Sequence, residues 1–439
     1  MYGQFVSPIR HSERPRVLLV APYFLPAHYG GAVQVYHQLL TRVRSLAPVI
    51  LSQRLGGQIA EMEKFDLSCR SNYGYEMRRI ERFDLVFRSD SRLMERVLDS
   101  VRFFNMTRRH WRRTIREVQP DVVICGATLA AGWLMSRIPG SIPFINYLHG
   151  EELAIGGESR LVRPYLFKNQ LKAIRNADLN ISVSRYTANR AADLAGIAKE
   201  QISLLPNFVD MNRFSPRADR DQLRQQLGWG TRKVILTLAR LTKRKGIDQA
   251  VRALAGLRRE GKLSSDWLHV IAGTGEQEKE LRDLVDRLGA NNYTCFAGFV
   301  DESRVPMFYG AADIFLQTNR NLSGDTEGFG VVFLEASASG TPVIGGIAGG
   351  TADAIREGIT GFRVDSEDLS AIGKAVLELV ENSDLRDKMG KAGVEIVSRE
   401  HRVEAAVSKF EGLVQGVLNA RVNFQAPVHS GNRSYGSTN

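Results

Sequence analysis

The strongest constraint on the fold is a rhythm in the second half of the chain, where short apolar runs alternate with amphipathic stretches. The spacing predicts strands over 234–239, 267–272, 293–297, 313–317 and 342–345, with helices over 246–259, 276–288 and 303–311 between them and more helix to about residue 420. Short runs without polar alternation suit strands buried on both faces. Strands that alternate with helices imply parallel sheets with helices on each side. The first half repeats the pattern less regularly. Strands are expected over 16–21, 49–52, 122–125, 144–148 and 179–183, a helix opens at Gly30-Gly31 and runs to about Leu46, and 56–117 reads as mostly helical. Pro206-Asn207-Phe208-Val209-Asp210, followed by Phe214-Ser215-Pro216, has the character of a linker. The expected fold class is α/β, with two Rossmann-like, doubly wound parallel-sheet domains facing a central crevice. Open sheets of this kind bind ligands at the carboxyl ends of their strands.

A length of 439 residues suits two or three domains. We expect a tail over 1–14, an N-terminal Rossmann-like domain over 15–210, and a C-terminal Rossmann-like domain over 211–400. A last helix over 401–422 is expected to pack back on the first domain, ahead of a tail over 423–439. Both tails are polar and weakly patterned, so they are expected to lack structure. The three cysteines, Cys69, Cys125 and Cys295, are far apart, which suits a reducing cytoplasm. The eight histidines include no HxxxH pair, so the sequence gives a metal site little support. The apolar run 122–135 is too short to span a bilayer. Arg14 and Arg16 ahead of Val17–Pro26 imitate a secretory leader, but Pro22 and Pro26 interrupt it, and the segment reads as the first strand and its loop.

Charge is unevenly spread. Residues 1–216 hold 30 Lys and Arg against 19 Asp and Glu, so they carry the whole net charge of +11. From Arg88 to Arg116 there are nine arginines against three acids, with Leu93, Val97 and Val101 at helical spacing. Such a helix either rests on anionic lipid or buries its stripe in its own domain and leaves its arginines in water. No recognition motif for nucleic acid accompanies the basic half, and nucleic acid is not expected as a partner.

The segment Glu327-Gly328-Phe329-Gly330-Val331-Val332-Phe333-Leu334-Glu335 reads as a site. Glycines at 328 and 330 let the backbone approach a ligand. The amides of Phe329, Gly330 and Val331 would lie at a helix N-terminus, which favours oxygen-rich or anionic ligands. Two acids with apolar filling between them suit carboxylates that accept hydrogen bonds from hydroxyls. A plain helix start, with Glu327 favourable to the dipole and Glu335 exposed, fits the same nonapeptide. Its neighbours favour a site. Gly345-Gly346-Ile347-Ala348-Gly349-Gly350 follows a strand as a phosphate-cradling turn would, and Arg240 to Gly246 places cations at another strand end. In the first half, Gly30-Gly31 and His149-Gly150-Glu151-Glu152 occupy equivalent positions, and Ser184-Arg185-Tyr186-Thr187 lies at a further strand tip. His149 there is either a structural donor or a substrate contact.

Taken together, the chain resembles retaining glycosyltransferases of family 4 with the GT-B fold, a group that includes phosphatidylinositol mannosyltransferases. The resemblance covers about residues 16–415. It rests on Glu327 and Glu335 as Glu-x7-Glu, on Arg240, Lys245 and Gly246, on Gly349-Gly350, on Gly30-Gly31 and on His149. It implies transfer of a sugar from a UDP- or GDP-sugar to a hydroxyl acceptor, either a membrane lipid or a growing glycan, without cofactor or metal. A non-catalytic scaffold that binds a nucleotide or glycan is the alternative. By the resemblance, Arg240 and Lys245 neutralise the departing diphosphate and Glu335 binds ribose. Glu327, with the amides near Phe329 and Gly330, holds the sugar. Gly31, Gly349 and Gly350 approach phosphate, His149 contacts the sugar, and the leaving phosphate deprotonates the acceptor. Cysteine usage and the basic first half, for their part, lead us to expect a cytoplasmic protein, peripheral on the inner face of the plasma membrane if the basic helix meets anionic lipid. Where the family often continues Gly-Gly with a small residue, Pro and Glu, this chain has Thr351-Ala352-Asp353.

Overall fold

The structure is a computed structural model that describes residues 14–26, 30–54, 59–81, 93–126, 131–154, 163–322 and 325–425. Among these, strands form two wholly parallel sheets. The first contains β1 (Arg16–Val20), β2 (Ala47–Gln53), β3 (Glu76–Ile80), β4 (Val122–Gly126), β5 (Phe144–Leu148), β6 (Leu179–Ser182) and β7 (Ile202–Leu204), in the order β3-β2-β1-β4-β5-β6-β7. The second contains β8 (Lys233–Leu238), β9 (Trp267–Ala272), β10 (Thr294–Gly298), β11 (Ile314–Gln317), β12 (Val343–Gly346) and β13 (Gly361–Val364), in the order β10-β9-β8-β11-β12-β13. Each order reverses direction beside its first strand. Each sheet therefore has a switch point, β1/β4 and β8/β11, where a crevice opens at the strand C-termini.

The doubly wound architecture follows from side-chain alternation on the strands. In β1, Val17 and Leu19 pack with Tyr36 and Leu39, whereas Leu18 and Val20 pack with Trp111 and Trp133 on the other face. In the second sheet, Val234 and Leu236 face one core and Ile235 the other. Parallel strands need long crossovers, and helices covering both faces supply them.

The chain crosses between the two domains twice, and the crossings are bonded side by side. The Val209 amide donates to the His401 carbonyl (2.9 Å), and the Val403 amide donates back to Val209 (3.3 Å). The helix Val403–Gln425 then lies on the first domain, three residues beyond its expected end. There Phe410 stacks near Tyr147, with ring centroids 6.4 Å apart, Glu411 accepts from the Arg44 and Ser45 amides, and Arg421 pairs with Asp178.

Four expectations need correction. Within 56–117 lies β3, flanked by helices Ile59–Tyr73 and Leu93–Val118. This edge strand carries Arg78 and Arg79, whose charges mask its period, and Arg79 pairs with Asp66 of the preceding helix. The short strand β7 was also unforeseen. Where only helix was expected after 342–345, the chain forms the single turn Thr351–Ala354 and then β13 before the longer helices begin. In the arginine-rich helix, Val101 is 53% exposed, and the buried face is Phe103, Thr107, Trp111, Thr114 and Val118. The side chains of Leu93 and Val97, along with Arg88 and Arg92, lie outside the described residues. Those of Arg108, Arg109, Arg112, Arg113 and Arg116 point into solvent. No helix among the described residues is long and apolar enough to cross a membrane.

Candidate functional site

In the second domain, the segment after β8 turns through Lys243–Lys245 into Gly246, whose φ is +66°. A Cβ there would lie 1.9 Å from the Thr318 carbonyl oxygen, and the Thr318 hydroxyl donates to Gly246 O (2.7 Å). Only glycine fits such an approach in that conformation. The turn is thereby fixed against the segment after β11 and aims its cations at Glu327. Lys245 Nζ lies 2.6 Å from Glu327 Oε2, and the Arg244 guanidinium donates to the same oxygen at 3.1 Å. The Asn319 side-chain amide adds a third donor at 2.8 Å. Burial alone would raise the Glu327 pKa, but Lys245 and Arg244 outweigh it and hold it at about 2. The other carboxylate oxygen, Oε1, has no partner among the described residues. Arg240 stands exposed at the strand end without an ion-pair partner among them.

Gly330, at φ +93°, begins the helix Val331–Ala338. A Cβ at this position would strike the Phe333 ring at 2.6 Å. The Phe329, Gly330 and Val331 amides donate to no described residue, so three N–H groups remain open at the helix start. Phe329 itself is buried, its ring centroid 5.9 Å from that of His401 at the domain crossing. One turn into the helix, Glu335 Oε2 accepts from the Tyr309 hydroxyl (2.9 Å). Burial pushes the Glu335 pKa up to about 7, against the opposing Tyr309 bond and with a further push from Glu302.

The glycine turn after β12 packs under this loop. A Cβ on Gly349 would lie 2.1 Å from Glu327 O, and one on Gly350 would lie 2.1 Å from Gly328 O. The Gly350 amide, expected to approach phosphate, donates instead to the Glu327 carbonyl (2.8 Å). In this conformation the pair serves first to let two backbones meet.

From the first domain, His149 follows β5 and is buried among rings, 4.9 Å from Tyr36 and 4.8 Å from Tyr147 between centroids. Burial lowers its pKa to about 3, so the ring is neutral, and its Nε2 has no partner. Gly150 turns the chain at φ +108°, with its amide donating to Glu152 Oε1 (3.0 Å). Glu152 is buried, its Oε2 is unpartnered, and desolvation raises its pKa to about 7. Gly30 caps the helix Gly31–Leu40 without a side chain, and a Cβ on Gly31 would meet nothing within 4 Å. Residues 27–29 of that loop lie outside the described set.

Three residues of this rim went unselected in the sequence. Arg244 was legible as the middle of a Lys-Arg-Lys run, whereas Asn319 and Tyr309 carry no local signal and reach the acids only through the fold. Among the described residues, no group of three or more His, Cys, Asp or Glu is placed to hold a metal ion. The arrangement gathers two carboxylates, each with one oxygen anchored by the protein, beside a cationic turn and open amides. Such a rim suits a ligand that is both hydroxylated and anionic.

Comparison with known proteins gives the same placement. Residues 219–395 match the family described as glycosyl transferases group 1, and residues 29–213 match glycosyltransferase family 4. The GDP-mannose-dependent alpha-(1-6)-phosphatidylinositol monomannoside mannosyltransferase of Mycobacterium tuberculosis is 34% identical over 71% of this chain and 80% of its own length. The N-acetyl-alpha-D-glucosaminyl L-malate synthase of Bacillus anthracis is 27% identical over 63% of this chain and 68% of its own. Among solved structures, sucrose-phosphate synthase from Thermosynechococcus elongatus superposes with a TM-score of 0.70 at 20% identity, covering 93% of this chain and 100% of that one. Anabaena HepE in complex with UDP gives 0.68 at 19% identity, covering 91% and 100%.

Proposed function

The chain belongs to the group 1, family 4 glycosyltransferases, and from that premise we propose that it moves a hexose from a UDP- or GDP-sugar to a hydroxyl acceptor with retention of configuration. The observation that carries this reading is the clamp on Glu327. One of its oxygens is fixed by Lys245, Arg244 and Asn319, and the other is left to accept from a sugar hydroxyl. The open Phe329, Gly330 and Val331 amides lie on the same loop and add donors for donor-substrate oxygens. Glu335, steadied by Tyr309, offers its second oxygen to the ribose hydroxyls.

In this reading the diphosphate lies against Arg240, Arg244 and Lys245, with Gly31 leaving room for phosphate across the crevice. The cations stabilise the negative charge that grows as the bond from the anomeric carbon to phosphate oxygen breaks. The acceptor oxygen attacks that carbon from the face the diphosphate is leaving, and its proton passes to a departing phosphate oxygen. The step needs neither an enzyme nucleophile nor a metal. His149, neutral at physiological pH, contributes a hydrogen bond to the sugar and no charge. The mannosyltransferase relatives and the basic first half favour a lipid acceptor over a soluble glycan. They also favour a cytoplasmic protein held to the inner face of the membrane by arginines of the helix Leu93–Val118.

Thermal shift with UDP, GDP, ADP and their common sugar derivatives tests the reading. A ligand at 100 times its Kd stabilises the folded state by about 2.7 kcal/mol. Stabilisation by one nucleotide, weakened about tenfold or more in affinity by Glu335→Ala, is the expected result. No response from folded protein overturns the donor site and leaves a non-catalytic scaffold.

A further inference from the structure

The backbone around Gly328 belongs to the second domain but is held by the first. A Cβ on Gly328 would lie 1.8 Å from the His149 carbonyl oxygen, so the two backbone segments are in direct contact there. A Cβ on Gly150 would in turn lie 3.3 Å from Gly328 Cα and 3.4 Å from the Thr187 hydroxyl. The Gly328 carbonyl oxygen accepts from Ser184 Oγ at 2.6 Å, with Thr187 Oγ1 3.3 Å away. Ser184 Oγ also lies 3.1 Å from Thr187 Oγ1, but Ser184 has one hydroxyl proton, and the shorter contact, to a carbonyl that can only accept, takes it. Ser184 Oγ in turn accepts from the Thr187 amide (3.0 Å) and so caps the helix Arg185–Ala195. Beside this contact, Asp353 accepts from the Arg185 amide (2.8 Å) and pairs with its guanidinium (2.7 Å).

We propose that Ser184 is a positioning residue for sugar transfer: its hydroxyl, with Thr187 and the Arg185–Asp353 pair beside it, clasps Gly328 when the domains close and so sets the Glu327–Val331 donor loop. The loop is a single short span. Its carboxylate is fixed by Lys245, its Gly328 carbonyl by the first domain, and its Phe329 ring lies against His401 at the domain crossing. Opening the crevice removes the central one of these restraints and leaves the others, so the open amides lose their aim while the cations stay in place. Domain closure and assembly of the sugar subsite thus become one event. The Asp353 that departs from the usual family sequence is the acidic partner of this clasp. The catalytic consequence rests on the transferase reading above, whereas the clasp itself does not.

Ser184→Gly is the discriminating variant, because glycine caps a helix nearly as well as serine but has no hydroxyl. At saturating donor, kcat should fall about tenfold, the worth of one well-placed hydrogen bond. Affinity for the free nucleoside diphosphate should stay within about twofold, because binding to the cations does not use the clasp. Ser184→Thr, which retains the hydroxyl, should recover most of the rate. An unchanged kcat in folded Ser184→Gly, or no recovery in Ser184→Thr, overturns the proposal. Small-angle scattering gives a readout independent of activity. The Ser184→Gly, Asp353→Ala double variant should show a larger radius of gyration than the wild type, and an unchanged radius overturns the clasp. Should the wild-type chain transfer no sugar at all, the transferase reading fails and scattering alone decides whether the clasp exists.

Discussion

Glu327 and Glu335 flank the same loop yet are driven in opposite directions, and the cause is what each carboxylate faces. Burial pushes both up, but two cations outweigh it at Glu327 and hold that group at about pKa 2, whereas Glu335 has no such cation bonded to it and burial, opposed by the Tyr309 bond and helped by Glu302, carries it up to about 7. Glu152, desolvated and half-satisfied, also rises to about 7. A folded pKa below the unfolded value adds stability above about pH 4.5 that is lost as pH falls toward 2, so Glu327 contributes to acid unfolding. The raised pair acts the other way. Between pH 4.5 and 7 the folded state binds more protons at these sites than the unfolded chain, so their contribution to stability falls as pH rises through that window. Glu152→Gln keeps an oxygen for the Gly150 amide and cannot ionise. Thermal midpoints measured from pH 5 to 8 should therefore decline less steeply in this variant than in the wild type, and equal slopes would remove Glu152 from the linkage. At Lys245, alanine leaves Glu327 with Arg244 as its one direct cation. We expect kcat to drop at least tenfold with a smaller change in donor affinity, as rapid-quench and binding measurements would separate.

At the scale of elements, the helix Leu93–Val118 combines two independent properties on opposite faces. Its buried face anchors the first sheet through Trp111, packed with Leu18, Val20, Leu51 and Val123. Trp111→Ala should cost about 3–5 kcal/mol in denaturant unfolding. Its outer face carries Arg108, Arg109, Arg112 and Arg113, of which Arg113 pairs with Glu117 one turn on. Replacing the four with Gln should leave the unfolding midpoint nearly unchanged, because exposed ion pairs contribute little. The same variant should sediment less with vesicles containing anionic lipid, by about 1 kcal/mol per arginine near the surface, and the difference should shrink with added salt. Equal sedimentation of variant and wild type would dismiss the lipid surface.

For the whole molecule, the last helix fastens one domain to the other. Phe410 is buried against Tyr147, in the ring cluster that also encloses His149, so the end of the chain buttresses the first-domain side of the crevice. Phe410→Ala should cost about 3–5 kcal/mol, and limited proteolysis should release the helix Val403–Gln425 at a lower temperature than in the wild type. Protection equal to that of the wild type would mean that the Glu411 and Arg421 contacts are enough to hold the helix.

Periodicity alone determined the doubly wound class. The run Val122–Gly126 is free of polar side chains and Phe144–Leu148 is interrupted only by Asn146, because both faces are covered, and that pattern needs no knowledge of neighbours. The glycines at 246, 328, 330 and 350 and the acids at 327 and 335 were equally legible, since close approach and buried charge restrict residue type at the position itself. What the strand and helix periods left obscure was the edge strand β3, whose arginines mimic a helix surface, and the true buried face of Leu93–Val118. Tertiary structure alone decided which cation meets Glu327, that the Gly350 amide meets the Glu327 carbonyl, and that Ser184 bonds Gly328 while Asp353 pairs with Arg185 across the crevice. Each of these pairs residues far apart in sequence. Local pattern specifies which groups need a partner, but only the packed chain specifies which partner they meet.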